Sequence, residues 1–232
     1  MSLKILNNIL LNGFGCKGDN SKIFVYRSNL TQCKNKMRKL YNYLSDFEKK
    51  KASEYYTKEL SDKYVISHGI LRYILSYYTT QLPENIKFYS NEYGKPFLVN
   101  NDLYFNMSYS KDLVCYVISF EYVVGIDLEF RDKNLNIDEL VNTTFTMAEH
   151  NFYTSLPKEE KKDFFYTLWT IKESIVKAAG YGLSYPINTI EAKSSASSQK
   201  IILCKKGTQG QKFHSFSLGL FLDYSCSIAI VE

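Results

Sequence analysis

The chain has 232 residues, enough to bury a sizeable core, and its 45% hydrophobic and 16% aromatic content excludes general disorder. A formal net charge of +5 permits an anionic ligand without demanding nucleic acid, and no apolar run reaches the roughly 18 residues of a membrane span. The five cysteines form no CxxC pair, so we expect neither a disulfide framework nor a zinc site, and a reducing cytoplasm is the expected compartment.

The N-terminal segment contains a short apolar stretch that Asn7 and Asn8 interrupt. No small-residue cleavage site follows it, so a signal peptide is not expected. Residues 1–21 are therefore an N-terminal extension without a predicted role.

Beyond this extension the chain is similar to itself at a shift of 101 positions. Three features coincide at that shift: a strand-like run, a helix-start capping box and an apolar helical pattern. The coinciding segments are 22–28 with 123–129, Ser45–Glu48 with Thr146–Glu149, and 70–75 with 171–176. We therefore predict two similar halves, residues 22–121 and residues 122–232.

Each half is predicted to contain one long helix followed by strands. Apolar residues recur at three- and four-residue steps over residues 64–78 and 163–179, and Gly180 is the expected C-cap of the second helix. The serine-rich residues 194–198 are typical of a loop. The predicted strands are 86–90, 97–99, 103–108, 113–120, 187–193, 200–204, 213–221 and 225–231. Strands in series after a helix favour an α+β fold with antiparallel sheets.

Residues 124–130, VGIDLEF, place two carboxylates in a run that otherwise resembles a buried strand. Alternate strand residues share a face, so Asp127 and Glu129 would lie side by side while the aliphatic residues point into the core. One or two carboxylates are usual Mg²⁺ ligands, together with waters and substrate phosphates. The segment alone favours a simpler interpretation, a half-exposed strand with a polar face.

The second long helix carries Trp169, Glu173 and Lys177 in one stripe beside its apolar face. Glu173 and Lys177 are also a helix-stabilising pair, worth about 0.2–0.5 kcal/mol. Two observations weaken that simpler explanation: the stripe includes the one tryptophan of the chain, and Lys172 falls within the apolar arc. The glycines after the helix either cap it or let another backbone come close.

Two further segments carry candidate phosphate ligands. A Gly-Lys-Pro turn presents Lys95, and the predicted strand end FNMSYS presents hydroxyl groups. Turn lysines are usually only solvated, so this pattern is weak by itself. No histidine shows metal-ligand spacing, and all three are expected to be structural or surface residues: His68, His150 and His214.

In their order and spacing, the segments YGKPF, FNMSYS, VGIDLEF and LWTIKESIVKAAGYGLS resemble the 4′-phosphopantetheinyl transferases of the surfactin-synthetase-activating type. The resemblance covers roughly residues 22–232. It implies a pseudo-dimer of two α+β halves, each a small antiparallel sheet packed on a long helix. It also implies a Mg²⁺-dependent enzyme that moves the phosphopantetheine arm of coenzyme A to a serine of an apo acyl or peptidyl carrier protein and releases adenosine 3′,5′-bisphosphate.

The same resemblance assigns roles to individual residues. The implied Mg²⁺ ligands are Asp127, Glu129 and Glu173. The implied catalytic residues are Glu173, as the base for the serine proton, with Asp127 and Lys177. The implied coenzyme A contacts are Lys51, Lys63, Lys95, Ser108, Tyr109 and Lys177. Arg72 matches an arginine that is expected to be structural.

One position departs from the family pattern. Where relatives carry histidine after FNxS, this chain has Tyr109, which donates one hydrogen bond but has no positive charge at neutral pH. We expect coenzyme A binding to persist, either weakened or compensated by Lys49, Lys50 or Lys63. Glu48 stands where relatives carry a lysine, another expected loss of a phosphate contact.

The expected partner is an acidic apo carrier protein, bound in the cleft between the halves and at residues 180–193. Tyr181, Leu183 and Tyr185 are candidate contacts there, although ordinary loop packing explains them nearly as well. No nucleic acid or membrane partner is expected, and the chain is expected to act as a monomer.

Two other functions stay open. One is a catalytically silent homologue that binds coenzyme A or a carrier protein, which Tyr109 motivates. The other is a Mg²⁺-dependent phosphodiesterase with the same carboxylates, for which no sequence feature positions a catalytic water.

Overall fold

The computed structural model describes residues 9–12, 22–182, 184–194, 201–204, 213–219 and 222–231. Helices and antiparallel sheets occur in both halves, so the α+β class is confirmed. Among these residues, no helix is both long and apolar enough to cross a membrane.

In its described residues, the first half contains a four-stranded sheet, a two-stranded hairpin and three α-helices. Its elements are β1 (Ile9–Asn12), β2 (Lys22–Asn29), α1 (Met37–Asn42), α2 (Asp46–Ser53), α3 (Lys58–Thr79), β3 (Phe88–Ser90), β4 (Pro96–Leu98), β5 (Tyr104–Ser110) and β6 (Leu113–Ser119). The sheet order is β1-β2-β6-β5, and β3 pairs with β4 in a separate hairpin.

The second half has a similar arrangement, with five strands and three α-helices among the residues that the structure describes. Its elements are β7 (Val124–Phe130), α4 (Asp138–Thr144), α5 (Met147–Ser155), α6 (Lys158–Ala179), β8 (Glu191–Ser194), β9 (Ile201–Cys204), β10 (Phe213–Ser217) and β11 (Tyr224–Val231). The sheet order is β7-β11-β10-β9-β8, all antiparallel.

Both long helices begin earlier than their apolar periodicity predicts. Helix α3 follows Thr57, whose hydroxyl oxygen accepts the N–H of Leu60 at 3.3 Å. Helix α6 follows Pro157. The added first turns are rich in charged residues and contribute no apolar stripe. Helix α6 ends at Gly180 in a left-handed conformation with φ of 74°, so the predicted C-cap is confirmed.

Several predictions about the remaining elements were wrong or incomplete. The N-terminal extension supplies β1, which pairs antiparallel with β2 at the edge of the first sheet. The predicted strand 187–193 begins only at Glu191, because Ile187–Thr189 form a 3-10 turn that Pro186 starts. The short helices α1 and α4 were not predicted. Of the predicted loop 194–198, Ser194 ends β8 and the rest lies outside the described residues.

Each long helix carries a buried cation that a capping-box glutamate neutralises. Both predicted capping boxes are formed. Arg72, 1% exposed, donates from Nε to Glu48 Oε2 at 2.6 Å. Lys172, 0% exposed, donates to Glu149 Oε2 at 2.5 Å and to Thr144 O at 2.7 Å. Lys172 therefore lies in the apolar arc because Glu149 neutralises its charge. Glu48 neutralises the charge of Arg72 in the same way.

The two sheets share one apolar core. Its buried members come from β2 and β6 of the first sheet, from β7, β10 and β11 of the second, and from Leu218 just after β10: Ile23, Val25, Cys115, Val117, Val124, Ile126, Leu128, Phe216, Leu218, Cys226, Ile228 and Ile230. Further cores lie beneath α3 and α6. The shared core fixes β7, and with it the two predicted carboxylates, against the first half.

Candidate active site

Strand β7 presents its carboxylates on the face that α6 covers. The aliphatic residues point into the shared core as predicted. A Cβ at Gly125 would overlap the α6 backbone at Ser174 and Ala178, so glycine is needed for the close approach of this helix. Asp127, 3% exposed, and the half-buried Glu129 therefore lie beside α6 and not on an open polar face.

Strand β5 of the first half lies beside β7 and bridges to it with alternate polar side chains. Asn106 Oδ1 accepts a backbone N–H of β7 at 2.9 Å. Ser108 Oγ donates to Asp127 Oδ1 at 3.1 Å, and Ser110 Oγ donates to Glu129 Oε2 at 3.0 Å. The sequence segment FNMSYS was recognised for its hydroxyl groups, but no role as bridges to β7 was predicted for Asn106 and Ser110, although the period of two in Asn-x-Ser-x-Ser places all three polar residues on one face.

Helix α6 adds a cation to this arrangement. Lys177 Nζ donates to Asp127 Oδ1 at 2.6 Å and to Ser108 Oγ at 2.9 Å. The three side chains come from α6, β7 and β5, so both halves contribute to one cluster. Asp127 Oδ2 is buried and has no hydrogen-bond partner among the described residues.

The other two predicted carboxylates interact with the charge of Asp127. Burial, followed by the charge of Asp127, raises the pKa of Glu129 to about 7. The same causes in the same order raise the pKa of Glu173, and Lys177 opposes that shift. Trp169, the first residue of the predicted stripe, packs against Phe165 with ring centroids 5.8 Å apart.

The donors at this site fit a hard divalent cation, although they form no ready-made cage. Among the described residues, no three acidic, histidine or cysteine side chains are grouped closely enough to hold a metal ion. Mg²⁺ needs no such group, since one or two carboxylates with waters and substrate phosphates usually suffice. Asp127 Oδ2 is a buried oxygen without a hydrogen-bond partner in the described part of the chain, and a cation there would oppose both the burial and the charge of Asp127, which raise the pKa of Glu129 and Glu173.

A cleft of about 1060 Å³ lies in the first half next to this cluster. Its lining includes Lys51, as predicted for a coenzyme A contact, and residues 105–107 of β5. Ser108 follows directly along the same strand, so β5 connects the cleft to the cluster around Asp127. Asp127, Ser108 and Lys177 do not line the cleft itself, so a ligand held there would reach the cluster along β5.

Two cleft residues were not predicted as part of the site. Tyr64 and His68 lie one helical turn apart on α3, and their rings stack with centroids 3.8 Å apart. Burial lowers the pKa of His68 to about 4, so this histidine is uncharged at neutral pH. The pair gives the cleft an aromatic wall without a charge.

The predicted contacts Lys63 and Tyr109 are not among the residues that line the cleft. Lys63 forms an ion pair with Glu59 at 2.8 Å. Tyr109 is 38% exposed and close enough to Lys63 and Tyr64 to contribute to a raised pKa at both. The tyrosine thus stands beside a lysine at the surface near the site.

Lys95 has partners that differ from the predicted phosphate contact. Its side chain is buried, and Nζ donates to Val124 O at 3.0 Å and to Ala178 O at 2.7 Å. Burial lowers the pKa of Lys95 to about 7. The neighbouring Gly94 and Pro96 line the cleft, whereas Lys95 points between β7 and α6.

Two of the candidate carrier contacts after α6 pack against each other. Tyr181 and Tyr185 are half-buried and stack with ring centroids 5.0 Å apart. Leu183 lies outside the described residues. Loop packing therefore accounts for part of the role that these tyrosines were expected to have.

The sequence is similar to known enzymes. The family model described as ACPS, 4′-phosphopantetheinyl transferase superfamily, matches residues 123–229. The 4′-phosphopantetheinyl transferase HetI of Nostoc sp. is 31% identical over 167 residues, 70% of this chain and 70% of that protein. The 4′-phosphopantetheinyl transferase gsp of Aneurinibacillus migulanus is 31% identical over 82% of this chain and 79% of that protein. The 4′-phosphopantetheinyl transferase Sfp of Bacillus subtilis is 29% identical over 66% of this chain and 67% of that protein.

Proposed function

The chain belongs to the 4′-phosphopantetheinyl transferase family, and we propose on that premise that it moves the phosphopantetheine arm of coenzyme A to a serine hydroxyl of an apo carrier protein. The serine oxygen bonds to the phosphorus that carries the arm, and adenosine 3′,5′-bisphosphate leaves. The observation that carries this proposal is the meeting of Asp127, Ser108 and Lys177, from both halves, beside a cleft of about 1060 Å³.

The side chains of the site have separate tasks in this reaction. Lys177 donates to Asp127 Oδ1 and to Ser108 Oγ, which leaves a third N–H of its ammonium group as a donor to the pyrophosphate oxygens. Glu173 takes the proton of the carrier serine, and its raised pKa brings it closer to the working pH of a general base. Mg²⁺, held by Asp127 and Glu129 with Glu173, would supply positive charge against the pyrophosphate.

The cleft accommodates the nucleotide part of coenzyme A. Lys51 on its wall and Lys63 nearby supply positive charge for the 3′-phosphate. Tyr109 beside Lys63 supplies a hydroxyl in place of the histidine charge of relatives.

The direct test is to incubate the protein with coenzyme A, Mg²⁺ and an apo carrier protein and to weigh the carrier by mass spectrometry. A gain of one phosphopantetheine supports the proposal, and Asp127→Asn should lose that gain. Full transfer by Asp127→Asn or Glu173→Gln would contradict the assigned roles. Omission of Mg²⁺, or addition of a chelator, should also abolish transfer.

The same assay separates the two alternatives. Hydrolysis of coenzyme A without a gain in carrier mass would indicate a phosphodiesterase. Binding of coenzyme A without transfer or hydrolysis would indicate a silent homologue, the outcome that the uncharged Tyr109 motivates.

We further propose a monomeric, cytoplasmic enzyme whose partners are coenzyme A and an acidic carrier, and neither nucleic acid nor membrane. Both halves of the pseudo-dimer lie in one chain, so the site needs no second copy. Cys33, Cys115 and Cys226 are buried and unpaired, which suits a reducing compartment. Light scattering that gave twice the monomer mass would contradict the oligomeric part.

A further inference from the structure

A turn of the first half, residues 91–95, closes against the end of α6 in the second half. Asn91 Nδ2 donates to Gly180 O at 2.8 Å. A Cβ at Gly182 would lie 3.3 Å from Tyr93, so the glycines after α6 leave room for this turn. The two halves are thus joined at this point by side chains from the turn that carries Lys95.

Lys95 is the buried end of this turn, with 8% of its surface exposed. Its Nζ donates to Ala178 O at 2.7 Å and to Val124 O at 3.0 Å. Ala178 O is among the last carbonyls of α6, which lack partners within the helix and form the negative end of its dipole. Val124 is the first residue of β7. One side chain of the first half therefore ties the end of the helix to the beginning of the strand.

These two elements carry the reacting groups of the proposed function. Asp127 lies three residues after Val124, and Lys177 directly precedes Ala178. We propose that Lys95 is a positioning residue, a latch that sets α6 against β7 and so holds Lys177 on Asp127, and that it does not contact coenzyme A. The orientation of Lys95, away from the cleft that its neighbours line, supports the second part. The catalytic consequence rests on the proposed function, whereas the latch itself rests on the contacts.

Three roles for Lys95 predict different kinetics. A phosphate ligand would act on the KM for coenzyme A, because its loss removes ground-state binding. A purely structural residue would lower stability, and any other substitution of equal cost would have the same effect. A positioning residue lowers kcat at unchanged KM, beyond what an equal loss of stability produces.

The experiment compares Lys95→Met, which keeps an unbranched side chain but removes the donors, with Ile74→Ala in the core of the first half. Both are assayed at a temperature at which they are folded. We expect Lys95→Met to lower kcat about tenfold to a hundredfold, with the KM for coenzyme A within about twofold. Ile74→Ala should change neither. A KM about ten times higher with kcat retained, or an equal loss of kcat in Ile74→Ala, would overturn the latch.

Hydrogen exchange tests the latch without reference to transfer. Lys95→Met should speed exchange about tenfold at Gly180 N–H, which donates to Val176 O at 2.9 Å, and leave α3 unchanged. Ile74→Ala should speed exchange in α3 and leave exchange at Gly180 unchanged. Unchanged exchange at the end of α6 in Lys95→Met would refute the latch even if the chain proved active. If wild-type protein modified no carrier while the exchange pattern appeared, the proposed function would fail and the latch would stand.

Discussion

Asp127 is the residue that decides what the site can do. One of its oxygens is held by Lys177 and Ser108, and the other is buried without a partner among the described residues. At the 101-residue shift, the first half has Tyr26 in this position, and its hydroxyl is hydrogen-bonded to that of Tyr78. At the equivalent position the first half therefore has a tyrosine hydroxyl that is hydrogen-bonded to a second tyrosine. The second half has an acid, one of whose oxygens has no hydrogen-bond partner among the described residues.

Individual site residues were predictable from the sequence to the extent that local spacing determines their direction. Alternation in β7 placed Asp127 and Glu129 on one face, and helix spacing placed Glu173 and Lys177 on one stripe. The partners of Lys95 were not predictable, because they are backbone carbonyls of Val124 and Ala178 in the other half. A turn lysine has the same local pattern whether it is exposed or buried.

Tyr109→His should introduce the ionisable side chain that the family pattern leads us to expect at this position. Histidine has an ordinary pKa of about 6.5, so the fraction charged grows as pH falls from about 7.5 to 6. We expect the KM for coenzyme A to fall relative to wild type, and to fall further at pH 6. Tyr109→Phe, which removes only the hydroxyl, is the matched control. An unchanged KM at pH 6 would show that the missing histidine charge has no effect on coenzyme A binding.

Lys95 should give the protein a measurable pH dependence of stability. Its folded pKa of about 7 lies below its ordinary value of 10.5, so between these values the unfolded chain binds the extra proton and stability rises with pH. Below pH 7 both states are protonated and the slope vanishes. In urea unfolding, the unfolding free energy of wild type minus that of Lys95→Met should rise by up to about 1.4 kcal/mol per pH unit between about pH 7 and 9.

The control is Lys87, an exposed lysine directly before β3. The stability of Lys87→Met should change with pH in the same way as the stability of wild type. Parallel curves for Lys95→Met as well would show that the two carbonyls keep Lys95 protonated into the alkaline range.

Among the elements, the long helices depend on features that periodicity detects only in part. The apolar stripes of α3 and α6 were visible, but their first turns are charged and exposed, so the predicted starts were late. The capping boxes of α2 and α5 were correct, and each supplies a counterion to a buried cation on the following long helix. That second use could not be predicted, because it joins residues distant in sequence.

Lys172→Met should therefore destabilise the second half strongly. Glu149 would be left as a buried carboxylate that still accepts the N–H groups of Thr146 at 2.7 Å and Ala192 at 2.9 Å but has no cation. The expected loss in unfolding free energy is about 3–5 kcal/mol. Urea unfolding measures this loss, and Lys158→Met is the control. Because Lys158 is exposed, its replacement should lower the unfolding free energy by less than about 0.5 kcal/mol.

A double-mutant cycle with Glu149→Gln tests the cause. The double variant Lys172→Met with Glu149→Gln should be more stable than Lys172→Met alone, because no buried charge is left unpaired. Simple additivity of the two costs would mean that the ion pair is not the source of the effect.

At the scale of the whole molecule, the internal repeat indicated two similar halves but not how they meet. The repeat is a property of each half separately, whereas the junction depends on β5, β7 and the shared core, which pair residues from opposite halves. The active-site cluster lies at that junction. Its geometry therefore depends on the packing between the halves as much as on either half.

The shared core predicts that the intact chain unfolds in one cooperative transition and that neither half folds alone. Residues 1–121 by themselves would expose the buried side chains of Ile23, Val25 and Val117, and residues 122–232 would expose those of β7. Calorimetry of the full chain should give equal calorimetric and van't Hoff enthalpies. Each half expressed separately should lack near-UV circular dichroism, and mixing the two should restore it together with transfer activity. A folded isolated half, or two separate thermal transitions, would mean that the halves are independent domains and that the junction contributes little to stability.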